Sequence, residues 1–145
     1  HHLMTHSAGF EEEFNSLFVA GEDRVLPLRD HLVRHMPARV YAPGAVMAYS
    51  NYGTALAGYI VERAAGQPFE TYLTEHLLQP LGMTHSFVGN VVPPALAADI
   101  TQGYQRQNGA FVGADFEYAA AAPTAPLRTT ATDISRFLAA HLGKG

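Results

Sequence analysis

Two residues combine types and spacing suited to proton-transfer chemistry: Tyr49 and Asn51, separated by Ser50. A phenol can give up or take a proton, and a side-chain amide is donor and acceptor at once. The pair follows a Pro43-Gly44 turn and precedes an apolar segment rich in small residues. Tyr-x-Asn alone is a weak signal, since chance supplies roughly 0.2 such pairs in a chain of this length. Unsupported, it reads as a half-buried tyrosine whose hydroxyl is satisfied at the surface.

Other reactive side chains form weaker constellations. His31 and His35 stand four apart on an expected helix, a spacing able to bind a metal, but no Glu follows His31 and no third ligand is evident. They are expected to be exposed and unligated, so no metal site is assigned. Glu11-Glu12-Glu13 reads as a solvated helix start and not as paired catalytic carboxylates. His6 and His85 have no partner that spacing can assign. The glycines fall into no phosphate-loop pattern, so nucleotide binding has no support.

The totals exclude further classes. With no cysteine, disulfides, thiolate metal sites and a Cys nucleophile are ruled out. A net charge of −4 without a basic cluster argues against nucleic acid. No run approaches the roughly 18 apolar residues of a membrane span. His1-His2-Leu3-Met4 lacks the charged and apolar regions of a signal peptide. The abrupt start suggests a piece of something longer.

The elements that must position Tyr49 and Asn51 follow from periodicity. At 145 residues and 48% hydrophobic, the chain reads as one domain over 1–145 with a core of its own. Glu11 to Ala20 is expected to be a short helix, with acids in its first turn and Phe14, Leu17 and Phe18 on one face. Leu28 to Met36 is a second, bounded by Pro27 and Pro37. Ser50 or Asn51 caps a helix running to Ala65 and closed by Gly66; it is apolar nearly all round and is expected to be the buried axis. Pro68 starts the next, Phe69 to Gln79, which Pro80 stops. Asn108-Gly109 predicts a hairpin between Gln102–Arg106 and Ala110–Val112. Ala119 to Pro126 is a loop, and Thr132 or Asp133 caps a last helix through His141.

Four segments, in order, carry a resemblance. They are His2-Leu3-Met4-Thr5-His6-Ser7-Ala8-Gly9-Phe10, Tyr41 to Asn51 with its Pro-Gly and Tyr-Ser-Asn, Pro80-Leu81-Gly82-Met83, and Leu127 to Phe137. Together they are similar to the middle of a serine β-lactamase/penicillin-binding-protein-type hydrolase, a superfamily of class C β-lactamases, D-Ala-D-Ala peptidases and esterases. Ala125 and Pro126 depart from it, standing where Gly-Gly or Gly-Ser is usual, which puts that loop's shape in doubt. The resemblance implies a mainly α fold class for this chain, the helical lobe of the β-lactamase/transpeptidase-like fold, with at most one short hairpin at 102–112.

Such enzymes attack a carbonyl with Ser and pass the acyl group to water or an amine. The Ser needs a base within hydrogen-bond reach. A free phenol, with a pKa of about 10, is a poor base until a Lys ammonium favours its charged form. The resemblance implies that role for Tyr49, and for Asn51 the holding of the substrate amide and the catalytic Lys, with Ser50 pointing elsewhere.

The family's Ser-x-x-Lys and Lys/His-[Ser/Thr]-Gly motifs are absent: the only lysine is Lys144, preceded at i−3 by His141. Both belong off the two ends of this stretch, as in a central fragment inactive alone. The expected parent is a cofactor-free, metal-independent acyl-transfer enzyme acting on a β-lactam, peptide or ester. The resemblance suggests an extracytoplasmic site for it, and the isolated lobe is expected to self-associate. The alternatives are a non-catalytic helical binding or scaffold module, favoured if the natural gene ended near Lys144, and a histidine metal module.

Overall fold

The computed structural model describes residues 1–14, 17–124 and 127–143. Ala125, Pro126 and Lys144, singled out above, lie outside the described residues. The elements in chain order are β1 (Phe18–Val19), α1 (Leu28–Arg34), α2 (Asn51–Ala65), α3 (Phe69–Leu73) running into a π turn (Thr74–Leu78), and β2 (Phe87–Val88). There follow a 3-10 turn (Pro94–Asp99), β3 (Tyr104–Gln107), β4 (Ala110–Gly113), β5 (Tyr118–Ala119), a 3-10 turn (Ala122–Thr124), β6 (Leu127–Arg128) and α4 (Ala131–Leu142).

Local chemistry accounts for the helices and one hairpin. Pro27 and Pro68 stand at the N-caps of α1 and α3, where a missing N–H costs nothing. Ser50 Oγ accepts the N–H of Gly53 at 3.0 Å and starts α2, and Gly66, at φ 71°, ends it in the left-handed region. Thr130 caps α4, in place of the expected Thr132 or Asp133, by accepting the Asp133 N–H. Asn108 and Gly109 both take positive φ, 49° and 86°, as a two-residue turn between β3 and β4 requires. The expected helix to Gln79 is α only to Leu73; Thr74 Oγ1 bonds back to the Glu70 carbonyl at 2.8 Å, and the next turn widens to π.

The mainly α expectation is corrected by the strands. Besides the hairpin, the described residues form two more antiparallel pairs, β1–β5 and β2–β6. The expected helix at Glu11–Ala20 is absent among its described residues. Phe10 instead bridges to Arg39, the Glu11 N–H reaches the Ala38 carbonyl at 2.9 Å, and β1 follows. The described part of the expected loop, residues 119–124, is the end of β5 and a 3-10 turn, with Ala119, Ala120 and Ala121 buried. Each pair joins segments far apart in the chain. A helical pattern in one segment alone could not register such partners.

Leu32, Ala55 and Ala121 form a buried cluster, flanked by Leu28, Tyr52, Leu56 and Tyr59. The buried face of α2 is made of small residues, Gly53, Ala55 and Gly58, while Ile60 is 52% exposed, so α2 is a one-faced support and not a fully buried axis. Its small face lets the Ala122–Thr124 turn approach closely. That contact, at Gly58 against Pro123, holds the middle of α2 against the turn.

Candidate active site

The residues around Tyr49 are set by backbone lacing between two segments. Gly9 and residues 6–7 lie against residues 40–48: Val40 N–H to Gly9 O at 2.8 Å, Gly44 N–H to Ser7 O at 2.7 Å, Ala48 N–H to His6 O at 2.8 Å. A Cβ on Gly9 (φ 83°) would lie 2.0 Å from the Tyr41 carbonyl oxygen, so only glycine permits this approach. The lacing brings the His6 ring onto the Tyr49 ring, centroids 4.5 Å apart and tilted 32°. His6 Nδ1 accepts the Ser50 N–H at 3.3 Å, which leaves the proton of the neutral ring on Nε2.

Tyr49, 57% exposed, presents its hydroxyl to solvent and donates it to Asn51 Oδ1 at 3.2 Å. Ser50, between them, is buried and spent on the cap of α2. The two sequence-predicted residues are therefore side by side on one surface, with Ser50 turned inward.

Glu12 completes the group. Its Oε2 accepts the Asn51 N–H at 2.7 Å and its Oε1 accepts Asn51 Nδ2–H at 2.5 Å. This corrects the reading of Glu11–Glu13 as a solvated helix start. A charge run carries no spacing signal for a partner 39 positions away. His6 is the second residue that sequence left without a partner; only the fold brings it under Tyr49.

The histidine pair also differs from expectation. His31 is buried, and its ring stacks on His35 with centroids 4.8 Å apart. Burial, then the charge of His35, push His31 below the ordinary histidine value, with Glu13 pulling the other way. Among the described residues no group of three or more His, Asp or Glu is placed to hold a metal. A cavity of about 20 Å³ lies between this pair, Glu13 and Asn51. A broader groove of about 990 Å³ runs between the β3–β4 hairpin and the β2–β6 pair, away from Tyr49.

At the other end, Asp133 is 1% exposed and accepts the His85 N–H at 2.7 Å and the Ser86 hydroxyl at 2.9 Å. Arg136 binds both Asp133 and, at 2.8 Å, the Gly82 carbonyl. The Pro80–Met83 turn is thereby tied to α4. His85, unassigned from sequence, contributes its backbone to this hub.

A solvent-facing phenol is bonded to an amide at the start of α2, which packs on α1, α3 and the Ala122–Thr124 turn in a fold that combines helices with small antiparallel sheets. The chain belongs to the beta-lactamase family, whose model matches residues 1–145. It is 32% identical over 114 residues to a putative D-alanyl-D-alanine carboxypeptidase of Escherichia coli (strain K12), covering 72% of this chain and 26% of that protein. It is 33% identical over 105 residues to a beta-lactamase of Lysobacter lactamgenus, covering 70% and 26%. Among solved structures, a class C beta-lactamase mutant matches with TM-score 0.72 at 25% identity, covering 99% of this chain and 38% of that one. The octameric penicillin-binding protein homologue from Pyrococcus abyssi matches in fold with TM-score 0.73 at 24% identity, covering 99% and 34%. The chain spans about a quarter of the length of these curated relatives. The structural matches are α/β proteins, which completes the correction of the mainly α expectation.

Proposed function

We propose that residues 1–145 are a single domain-sized part of a serine hydrolase that works through an acyl-enzyme, and that they carry its Tyr-x-Asn element. Tyr49, as the phenolate that the lysine's positive charge favours, takes the proton from the attacking serine and returns it to the leaving group; Asn51 orients the substrate's amide or ester. The serine and lysine come from residues outside these 145, so the stretch alone does not catalyse. The observation that carries this reading is the Tyr49 hydroxyl held 3.2 Å from Asn51 Oδ1 on an exposed surface, its ring fixed against His6. An ordinary surface tyrosine needs no such seating. Proton transfer does, because its efficiency rests on the donor lying within hydrogen-bond reach of the reacting oxygen.

Substrates of the named relatives support a β-lactam or a D-alanyl peptide, and an ester fits the same chemistry. Met36, Val46 and Met47 are exposed near the site-bearing segments, which favours association of the isolated stretch with itself.

Intact-mass spectrometry after incubation with a penicillin and with a fluorophosphonate tests the reading. The natural full-length protein is expected to gain one adduct, and residues 1–145 alone none. An adduct on the 145-residue chain would mean that one of its own serines is activated. No adduct on either would favour a non-catalytic binding module. Sedimentation across a wide concentration range tests the association, and monomeric behaviour throughout would count against it.

A further inference from the structure

Glu12 belongs to no motif that the proposed chemistry uses, yet it makes the two shortest contacts that Asn51 has. We propose that Glu12 is a positioning residue for the acyl-transfer site: its carboxylate fixes which way round the Asn51 amide stands, and through that amide the hydrogen bond that seats the Tyr49 hydroxyl before reaction. The inference rests on the acyl-transfer reading above.

An asparagine amide has two orientations of nearly equal shape, exchanging an acceptor oxygen for a donor NH2. At Asn51 the choice is forced. An ionised carboxylate only accepts, so the atom 2.5 Å from Glu12 Oε1 must be Nδ2. Oδ1 is then turned to Tyr49, 3.2 Å away, and the phenol must donate to it. With the amide reversed, an NH2 would face the phenol, the hydroxyl proton would turn elsewhere, and Oδ1 would meet the carboxylate lone pairs. The second Glu12 oxygen takes the Asn51 backbone N–H at 2.7 Å, so the carboxylate is held at both ends and cannot swing away without stranding a first-turn donor of α2. Ser50 Oγ already serves Gly53, so nothing else in the cap replaces it. The relay runs from Glu12 through Asn51 to Tyr49. The second lone pair of Oδ1, beside the one that accepts from Tyr49, is left to face a substrate N–H or an ammonium.

The test uses the natural full-length protein and the rate of acylation by a penicillin or by the fluorophosphonate. Glu12→Gln, nearly isosteric, is expected to lower that rate roughly 10- to 100-fold, the scale of a misoriented reacting group. In an Asn51→Ala background the same change should then have little further effect, because a residue acting only through Asn51 has nothing left to orient. A merely structural role predicts equal fold-losses in both backgrounds. Equal losses, or an unchanged rate with Glu12→Gln, would overturn the proposal. If wild type itself forms no adduct, the acyl-transfer reading fails instead, so the two failures are distinct.

Should Glu12→Gln not fold, the wild-type protein still decides. With 15N-asparagine label, one proton of the Asn51 side-chain NH2 should lie well downfield and exchange slowly with solvent, as a carboxylate-bound amide proton does. An ordinary shift with fast exchange would show that Glu12 does not hold it.

Discussion

Asp133, third residue of α4, accepts the backbone N–H of His85, 48 positions earlier, at 2.7 Å while only 1% exposed. One carboxylate thus joins the start of α4 to the turn after Met83. Asp133→Ala leaves the half-buried His85 N–H without its acceptor and the buried Ser86 hydroxyl with only Thr129 Oγ1, at a cost on the order of 1–3 kcal/mol for each lost bond. A loss of roughly 3 kcal/mol is expected in urea unfolding, and a change below about 1 kcal/mol would show that the hub is dispensable.

The same carboxyl sets an acid limb of stability. Burial alone would raise it, but the Ser86 hydroxyl, the His85 N–H and the charges of Arg136 and His85 outweigh burial and hold it below its ordinary value of 3.8. The unfolded chain therefore binds this proton first. The contribution is complete above that value and is lost as pH falls through the lowered one. Asp133→Asn, which cannot titrate, should flatten the acid end of a stability-versus-pH curve.

His31 acts in a different window. Its folded-state value lies below the ordinary 6.5, through burial first and His35 second, against Glu13. Between the two values the unfolded chain holds more protons, so stability rises with pH and is lost as pH falls from about 6.5. His31→Gln should reduce the slope of the urea midpoint between roughly pH 7 and 5. An unchanged slope would assign it to the other histidines.

Gly58 is a packing requirement. A Cβ there would lie 2.4 Å from Pro123 Cβ and Cγ, the contact through which α2 supports the Ala122–Thr124 turn. Gly58→Ala gains roughly 1 kcal/mol of helix propensity and meets about 1–3 kcal/mol of overpacking. Net destabilisation is expected in denaturant unfolding, and a more stable variant would mean that the turn simply moves aside.

Tyr49 and Ser50 are neighbours with opposite expected phenotypes. Tyr49→Phe removes an exposed hydroxyl, leaving stability within about 0.5 kcal/mol while acylation of the natural full-length protein falls roughly 100-fold or more. Ser50→Ala loses the cap of α2, about 1 kcal/mol, with a smaller effect on rate. Calorimetry and acylation kinetics on both variants separate the roles, and matched rate losses would erase the distinction.

What the sequence by itself determined is local. Ser50 and Gly66 bracket α2, prolines start α1 and α3, and Asn108-Gly109 turns the hairpin, because each effect acts within a few residues. Tyr49 and Asn51 were legible for the same reason: two positions apart at a helix start, they meet with little help from the fold. Tertiary structure alone decided the rest. β1 exists because β5 lies beside it, and Glu12 is a clamp and not a solvated charge because lacing of residues 6–11 onto 38–48 carries it to Asn51. His31 is buried because α1 turns it toward Ala55 and Ala121, which no i, i+4 spacing could indicate. Hydrogen bonds and burial across 30 or more positions depend on how segments meet, and that free energy is written in no single segment.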